Sequence, residues 1–175
     1  VGSWERGRVM ANGIRENTQV ANRAGLKYIC FNAGFPESEF AKIDAYTQSL
    51  TAEVSPYLVD GKLTESALRG KNLFEGKANC ATCHSGKLYG ADVLIYDNFV
   101  DSDVETRGLL VPPLVEAWRT GPYLHDGSAA TIMDVLTTRN VTGTHGNVSG
   151  LTEAELTDLC NYVLSLGTEI VDETV

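Results

Sequence analysis

The sequence contains no long hydrophobic run. The stretch from Leu109 to Val115 is the longest apolar segment, and Pro112 and Pro113 interrupt it. A helix that spans a membrane needs about 18 or more consecutive apolar residues, so the sequence predicts no transmembrane segment. The first residues also lack the apolar core of a signal peptide. We therefore expect either a mature protein or a chain that starts inside a longer precursor.

Basic residues are also scarce. The 175 residues include 14 Lys and Arg against 23 Asp and Glu, which gives a formal net charge of −9. This balance argues against nucleic-acid binding, and it favours partners that carry a basic surface. The apolar fraction of 43% is nevertheless ordinary for a globular protein and sufficient for a hydrophobic core.

Histidine, methionine and cysteine are few, with three, two and four residues respectively. Their most informative grouping is Cys80-Ala81-Thr82-Cys83-His84. Two cysteines separated by two residues and followed by histidine form the attachment site of a c-type haem. The two thiols add to the two vinyl groups of one porphyrin, and the histidine becomes the proximal ligand of the iron. The motif predicts one covalent haem c in this chain.

Two other interpretations of this motif are weaker. A zinc site on Cys80, Cys83 and His84 would need a fourth ligand, and three nearly contiguous ligands crowd a tetrahedral ion. An accidental pattern would leave a reactive dithiol unexplained. Haem attachment accounts for all three residues together.

The hydrophobic periodicity predicts a mainly α fold, and the haem motif identifies that fold as a c-type cytochrome domain with a loop-rich haem surround. Helices are expected over residues 38–50 with Ser38 as the cap, after Thr64 up to Gly76, and after Thr131. Thr152 and Glu155 form a predicted capping box at the start of the last helix. Residues 85–111 are predicted to be mainly loop.

Residues 39–50 align without gaps to residues 155–166, with identical Glu, Tyr, Ser and Leu and coinciding apolar positions. Two unrelated amphipathic helices often share such a face. The alternative is that the earlier segment closes a similar preceding domain. We therefore divide the chain into residues 1–55, an N-terminal arm or the closing part of a cytochrome-like domain with a linker, and residues 56–175, a mono-haem cytochrome c domain.

A second informative block spans residues 112–131 and contains Pro122-Tyr123-Leu124-His125-Asp126-Gly127. Together with the haem motif, this block resembles the C-terminal haem domain of the bacterial di-haem cytochrome c peroxidase and MauG superfamily, which includes cytochrome domains fused to modules such as β-propellers. The resemblance covers about residues 62–167. Because the chain carries one haem motif, a complete di-haem peroxidase would need a second polypeptide or further sequence.

The resemblance also implies where the distal iron ligand should lie. In the family it is Met or Tyr in the loop that follows the Thr131 helix, but residues 136–140 contain neither. His145, on a glycine-rich loop slightly further on, is our predicted distal ligand, which would give bis-histidine iron. A solvated loop histidine is the alternative for this residue.

Other residues around the haem are assigned less directly. The resemblance places His125 in the haem environment rather than on the iron. Trp118 could pack on the porphyrin, and Arg119 could pair with a propionate, although a core tryptophan and a solvated arginine are the ordinary alternatives. Similar peroxidases hold calcium partly through the segment that matches Thr120 and Pro122, together with a ligand from another domain; the resemblance thus allows calcium here, but calcium is not part of our prediction.

Cys30 and Cys160 remain after haem attachment. In an oxidising compartment such a pair often forms a disulfide, and two buried thiols are the alternative. Because covalent haem is attached outside the cytoplasm, we expect a periplasmic or extracellular location.

Three functions are compatible with these features. Electron transfer to a redox partner protein, or to a further haem domain or subunit of a larger complex, is the leading one. The alternative is a peroxidase-like or MauG-like enzyme with an open sixth coordination site, in which His125 or Glu116 would act as acid or base. A structural docking module is the third.

Overall fold

The computed structural model describes residues 7–95 and 108–167. The described part is mainly helical, as predicted, with one small pair of antiparallel strands. The helices are α1 Thr18–Ala24, which continues as a π-helical turn over Gly25–Ile29, α2 Glu37–Ser49, α3 Glu65–Glu75, α4 Ile132–Leu136 and α5 Glu153–Ser165; the strands are β1 Leu94–Ile95 and β2 Leu109–Leu110. None of the helices in these ranges is long and apolar enough to cross a membrane.

The core lies where α3 crosses α5. Phe74 of α3 and Tyr162 of α5 are almost completely buried, and their ring centres are 5.3 Å apart in an edge-on arrangement. Gly70 lies at the crossing, where a Cβ atom would come within 2.0 Å of the backbone oxygen of Asp158. Since α3 ends just before the haem motif, this crossing determines where that motif begins.

Threonine side chains cap the start of three helices. The Thr64 hydroxyl accepts from the backbone N–H of Ala67, and Thr131 and Thr152 each form a complete capping box. These three predicted starts are confirmed. The helix predicted over residues 38–50 is present as α2, but its predicted cap was wrong, because Pro36 rather than Ser38 holds the cap position and no side-chain cap is made there.

The predicted apolar face of α2 is also only partly buried. Phe40 is buried, whereas Tyr46 is 66% exposed and Leu50 is 43% exposed. The helix instead buries Asp44, whose carboxylate accepts hydrogen bonds from side chains of the preceding helix region: Gln19, Asn22 and Arg23. A polar contact, not an apolar one, therefore holds α1 against α2.

The segment that follows α2 is tied to the α3–α5 unit. The backbone N–H of Glu53 donates to the carboxylate of Glu116 over 2.7 Å, and the Ser55 hydroxyl donates to the Leu164 carbonyl over 2.6 Å. On the other side, the Leu110 N–H of β2 donates to the Ala11 carbonyl. The residues before α3 therefore contact the α3–α5 unit through Glu53 and Ser55, and strand β2 through Ala11.

The remaining cysteines do not form the bridge that was considered. Cys30 is an exposed free thiol at the end of the π-helical turn, and Cys160 is a buried free thiol on α5. Their two environments differ, because α5 turns Cys160 into the core. Cys160 therefore packs as a small apolar side chain.

A charged contact reinforces the helix crossing and should make stability depend on pH. Asp158 accepts hydrogen bonds from Arg69 and Ser66, and these bonds hold the pKa of its carboxyl below the ordinary value of 3.8. A lowered folded-state pKa stabilises the fold above the ordinary value, and this stabilisation is lost as pH falls through the folded-state pKa. Asp158→Asn should lower the thermal midpoint by a few degrees at pH 7. The difference from the unsubstituted protein should shrink steadily below pH 4 in a thermal-unfolding series, and a difference that stays constant down to pH 2 would contradict this assignment.

Candidate haem site

The haem motif begins in a short turn directly after α3. Asn79 adopts the left-handed conformation with φ +56°, and Cys80–Thr82 form one turn of 3₁₀-helix. The backbone N–H groups of Cys83 and His84 both donate to the Cys80 carbonyl, over 3.2 and 2.9 Å. This compact turn presents both thiols and the imidazole from five consecutive residues.

The two thiols have different surroundings. Cys80 is half-buried, and burial, followed by repulsion from Cys83, raises its pKa to about 11. Cys83 is exposed. Within residues 7–95 and 108–167, no three His, Cys, Asp or Glu side chains are grouped so that they could hold a metal ion.

His84 is oriented by a backbone carbonyl. Its Nδ1 lies 3.1 Å from the carbonyl oxygen of Tyr89. A carbonyl can only accept, so Nδ1 carries the proton and Nε2 keeps its lone pair. That lone pair is what a proximal iron ligand requires.

His145 is held by a reciprocal pair of hydrogen bonds. Its backbone N–H donates to the side-chain oxygen of Asn140, and the side-chain amide of Asn140 donates to the His145 carbonyl, both over 3.1 Å. The next residues contact the haem turn, because the Asn147 N–H donates to the Ala78 carbonyl over 2.9 Å. The loop and the Cys80 turn are thus connected through Ala78.

The structure brings His84 and His145 together. Their ring centres lie 6.3 Å apart, with 35° between the ring planes. Burial, and secondly repulsion from His84, lowers the pKa of His145 to about 4. At neutral pH this imidazole is therefore uncharged, which is the form that binds a metal.

The distance between the two ring centres is close to the value expected for two imidazoles that bind one metal ion. A bond between imidazole nitrogen and a metal is about 2 Å long, and the ring centre lies about 1 Å behind the nitrogen, so two imidazoles on opposite sides of one ion have centres about 6 Å apart. The spacing of His84 and His145 agrees with this value.

Trp118 and Arg119 lie on the 3₁₀ turn Ala117–Arg119. The Trp118 indole N–H is buried and has no hydrogen-bond partner among the described residues, as expected for a donor that faces a cofactor acceptor such as a propionate. The Arg119 guanidinium pairs with the buried carboxylate of Glu116 and stacks 5.6 Å from the Trp118 ring. The assignment of both residues to the haem stays a prediction.

His125 is exposed, on a turn closed by the pairing of Tyr123 with Ala129. Its place in the haem environment likewise stays a prediction. His145, by contrast, is half-buried.

Sequence reasoning missed the residues that support the two histidines. Asn140 bonds to His145 and Tyr89 bonds to His84, in each case across five positions of the chain. Tyr162, on α5, donates to the Tyr89 hydroxyl. An asparagine shortly before a histidine in a glycine-rich loop was the only available signal for the Asn140 contact.

Comparison with known proteins agrees with this site. The cytochrome c family model matches residues 67–167. The chain is 28% identical to the hydrazine synthase subunit gamma of Kuenenia stuttgartiensis, over 79% of this chain and 52% of the relative. It is 25% identical to a cytochrome-c peroxidase of Denitromonas iodatirespirans, over 94% of this chain and 60% of that protein. The methylamine utilization protein MauG of Methylorubrum extorquens is 35% identical over 40% of this chain and 24% of its own length.

A solved structure of hydrazine synthase from Kuenenia stuttgartiensis shares the fold, with a TM-score of 0.68 and 24% identity over 83% of this chain and 60% of that chain. The chain thus spans about half to three-fifths of the longer relatives that it matches over most of its own length. The chain belongs to the cytochrome c family, a haem-based redox domain whose predicted resemblance to the di-haem peroxidase and MauG superfamily is confirmed.

Proposed function

We propose that this domain transfers electrons through one haem that is covalently bound to Cys80 and Cys83, with the iron ligated by His84 and His145. The observation that carries the proposal is the 6.3 Å separation of the two imidazole rings. Two strong axial ligands would leave no open position for peroxide or oxygen. This argues for electron transfer and against the enzymatic alternative.

Each residue has a defined part in this proposal. The two cysteines would anchor the porphyrin. The Nδ1–H of His84 donates a hydrogen bond to the Tyr89 carbonyl, which leaves Nε2 free to bind iron. The hydrogen bonds to Asn140 hold the loop that carries the neutral His145, the second ligand. The haem supplies a one-electron couple whose potential depends on its axial ligands and its burial. Because both ligands are fixed by the fold, little rearrangement would accompany a change of oxidation state.

The location of the protein and its redox partner are parts of the same proposal. Covalent haem and a net charge of −9 fit a periplasmic or extracellular protein that docks to a basic redox partner. A partner within a larger complex is supported by one relative, which is a subunit of hydrazine synthase.

The proposal also assigns residues 1–55 to the end of a similar preceding domain. Tyr162 of α5 and Leu166, which directly follows α5, are fully buried, whereas Tyr46 and Leu50 at the matching positions are exposed. The two segments have the same pattern, but among the described residues this face is covered only in the later segment. The relatives' greater length supports the same division.

Visible absorption spectroscopy tests the iron ligation. The haem-loaded protein should show a low-spin spectrum in both oxidation states, without the sulfur-to-iron band, and carbon monoxide should not change the reduced spectrum. His145→Ala should become high-spin and bind carbon monoxide readily, because it opens one axial position. His125→Ala should stay low-spin. A high-spin, carbon-monoxide-binding unsubstituted protein would overturn the His145 assignment and favour the enzymatic alternative.

A further inference from the structure

The two hydroxyl groups of Tyr162 and Tyr89 form a hydrogen bond that connects the closing helix to the loop behind His84. Tyr162 lies on α5 and is fully buried, and its hydroxyl donates to the Tyr89 hydroxyl over 3.1 Å. The carbonyl of the same Tyr89 accepts from Nδ1 of His84 over 3.1 Å. One residue therefore contacts both the helix core and the proximal histidine.

Tyr89 needs this support because of its backbone conformation. Its φ of +51° lies in the left-handed region, which residues other than glycine adopt only when their surroundings enforce it. The N–H groups of Tyr89 and Gly90 donate to Gly86 and Ser85, closing a tight loop. At Gly90, a Cβ atom would come within 2.7 Å of the Pro113 backbone, so the loop is pressed against its neighbour.

The Tyr89 side chain is enclosed by aromatic rings. Its ring centre lies 5.9 Å from that of Phe74 and 6.2 Å from that of Tyr162, both with nearly perpendicular ring planes. The two rings enclose the Tyr89 side chain, and the hydrogen bond between the two tyrosine hydroxyls holds its outer end against α5. Together they fix the carbonyl that His84 contacts.

We propose that Tyr162, acting through Tyr89, is a positioning residue for His84 that sets the reduction potential of the haem. A hydrogen bond from Nδ1–H to a carbonyl makes the imidazole a more basic ligand, which favours the oxidised iron. If the carbonyl moves away, this bond weakens and the reduced form becomes more favourable. This inference rests on the proposed ligation by His84, and it extends the site to a residue on the far helix.

Potentiometric titration of the haem-loaded protein tests the proposal. Tyr162→Phe and Tyr89→Phe each remove one hydroxyl and keep the ring, so each should shift the reduction potential to a more positive value while the spectrum stays low-spin. The double variant should shift it no further than either single variant, because both hydroxyls serve one bond. Should Tyr162→Phe fail to fold, Tyr89→Phe breaks the same bond from the more exposed side.

Ser165→Ala provides the matched control. It removes another buried hydrogen bond from α5, the one from the Ser165 hydroxyl to the Asn161 carbonyl over 2.7 Å, without a contact to Tyr89. Its potential should equal that of the unsubstituted protein. Unchanged potentials in both tyrosine variants, shifts that add in the double variant, or an equal shift in Ser165→Ala would each overturn the proposal. A high-spin unsubstituted protein would instead contradict the proposed function, so the two failures are distinguishable.

Discussion

Replacing both Cys80 and Cys83 with serine should yield a protein that loses all of its haem on denaturation. Thioether formation needs a sulfur nucleophile, and a serine hydroxyl does not substitute for it. His84 would remain to coordinate the iron, but coordination is reversed when the chain unfolds. A denaturing gel stained for haem peroxidase activity should therefore show a strong band for the unsubstituted protein and none for the double variant.

The other two cysteines provide the control for this experiment. Cys30→Ser changes an exposed thiol and Cys160→Ser a buried one, and neither lies in the haem turn. Both variants should keep the stained band, and mass spectrometry should find one haem added to each chain. Haem that leaves the unsubstituted protein under denaturing conditions would contradict covalent attachment.

The helices around the haem were predictable because their signals are local. Thr64, Thr131 and Thr152 are good caps, and the hydrophobic repeats that follow them match the observed α3, α4 and α5. The same reasoning misplaced the start of α2 by choosing Ser38, and it assigned Tyr46 to a buried face. The periodicity of α2 is real, but whether such a face is covered depends on what packs there, which local sequence does not specify.

The site could be predicted only to the level of its ligand candidates. The Cys80 motif is specific because its five residues act within one turn. The sequence contains three histidines and could not show which of them approaches His84. The approach of His145 depends on a loop that is held by Asn140 and by contact with Ala78. The support of His84 by Tyr89 could not be predicted, because it requires a left-handed tyrosine in a loop and a tyrosine 73 positions further along the chain.

Gly70→Ala should destabilise the protein strongly, although alanine is a better helix former. In an exposed helix this change would stabilise by about 1 kcal/mol. Here the new Cβ atom would lie 2.0 Å from the Asp158 backbone oxygen and 2.8 Å from the Tyr162 Cβ atom. Neither neighbour is the flexible end of a side chain, so α3 and α5 must move apart. Overpacking typically costs about 1–3 kcal/mol and occasionally more. A contact of 2.0 Å with backbone should lie at the upper end or above it, and so exceed the helix-propensity gain.

Gly25→Ala is the matched control, because Gly25 also has a helical backbone and a Cβ atom there would meet nothing within 4 Å. Urea unfolding of the haem-loaded proteins should show a loss of about 2 kcal/mol or more for Gly70→Ala, and no loss for Gly25→Ala. The Gly70 variant should also bind carbon monoxide in part, since α3 leads directly into the Cys80 turn and its displacement moves His84 relative to His145. Equal stability of the two variants would show that the helices can separate without cost, and the helix crossing would then not be what fixes the haem turn.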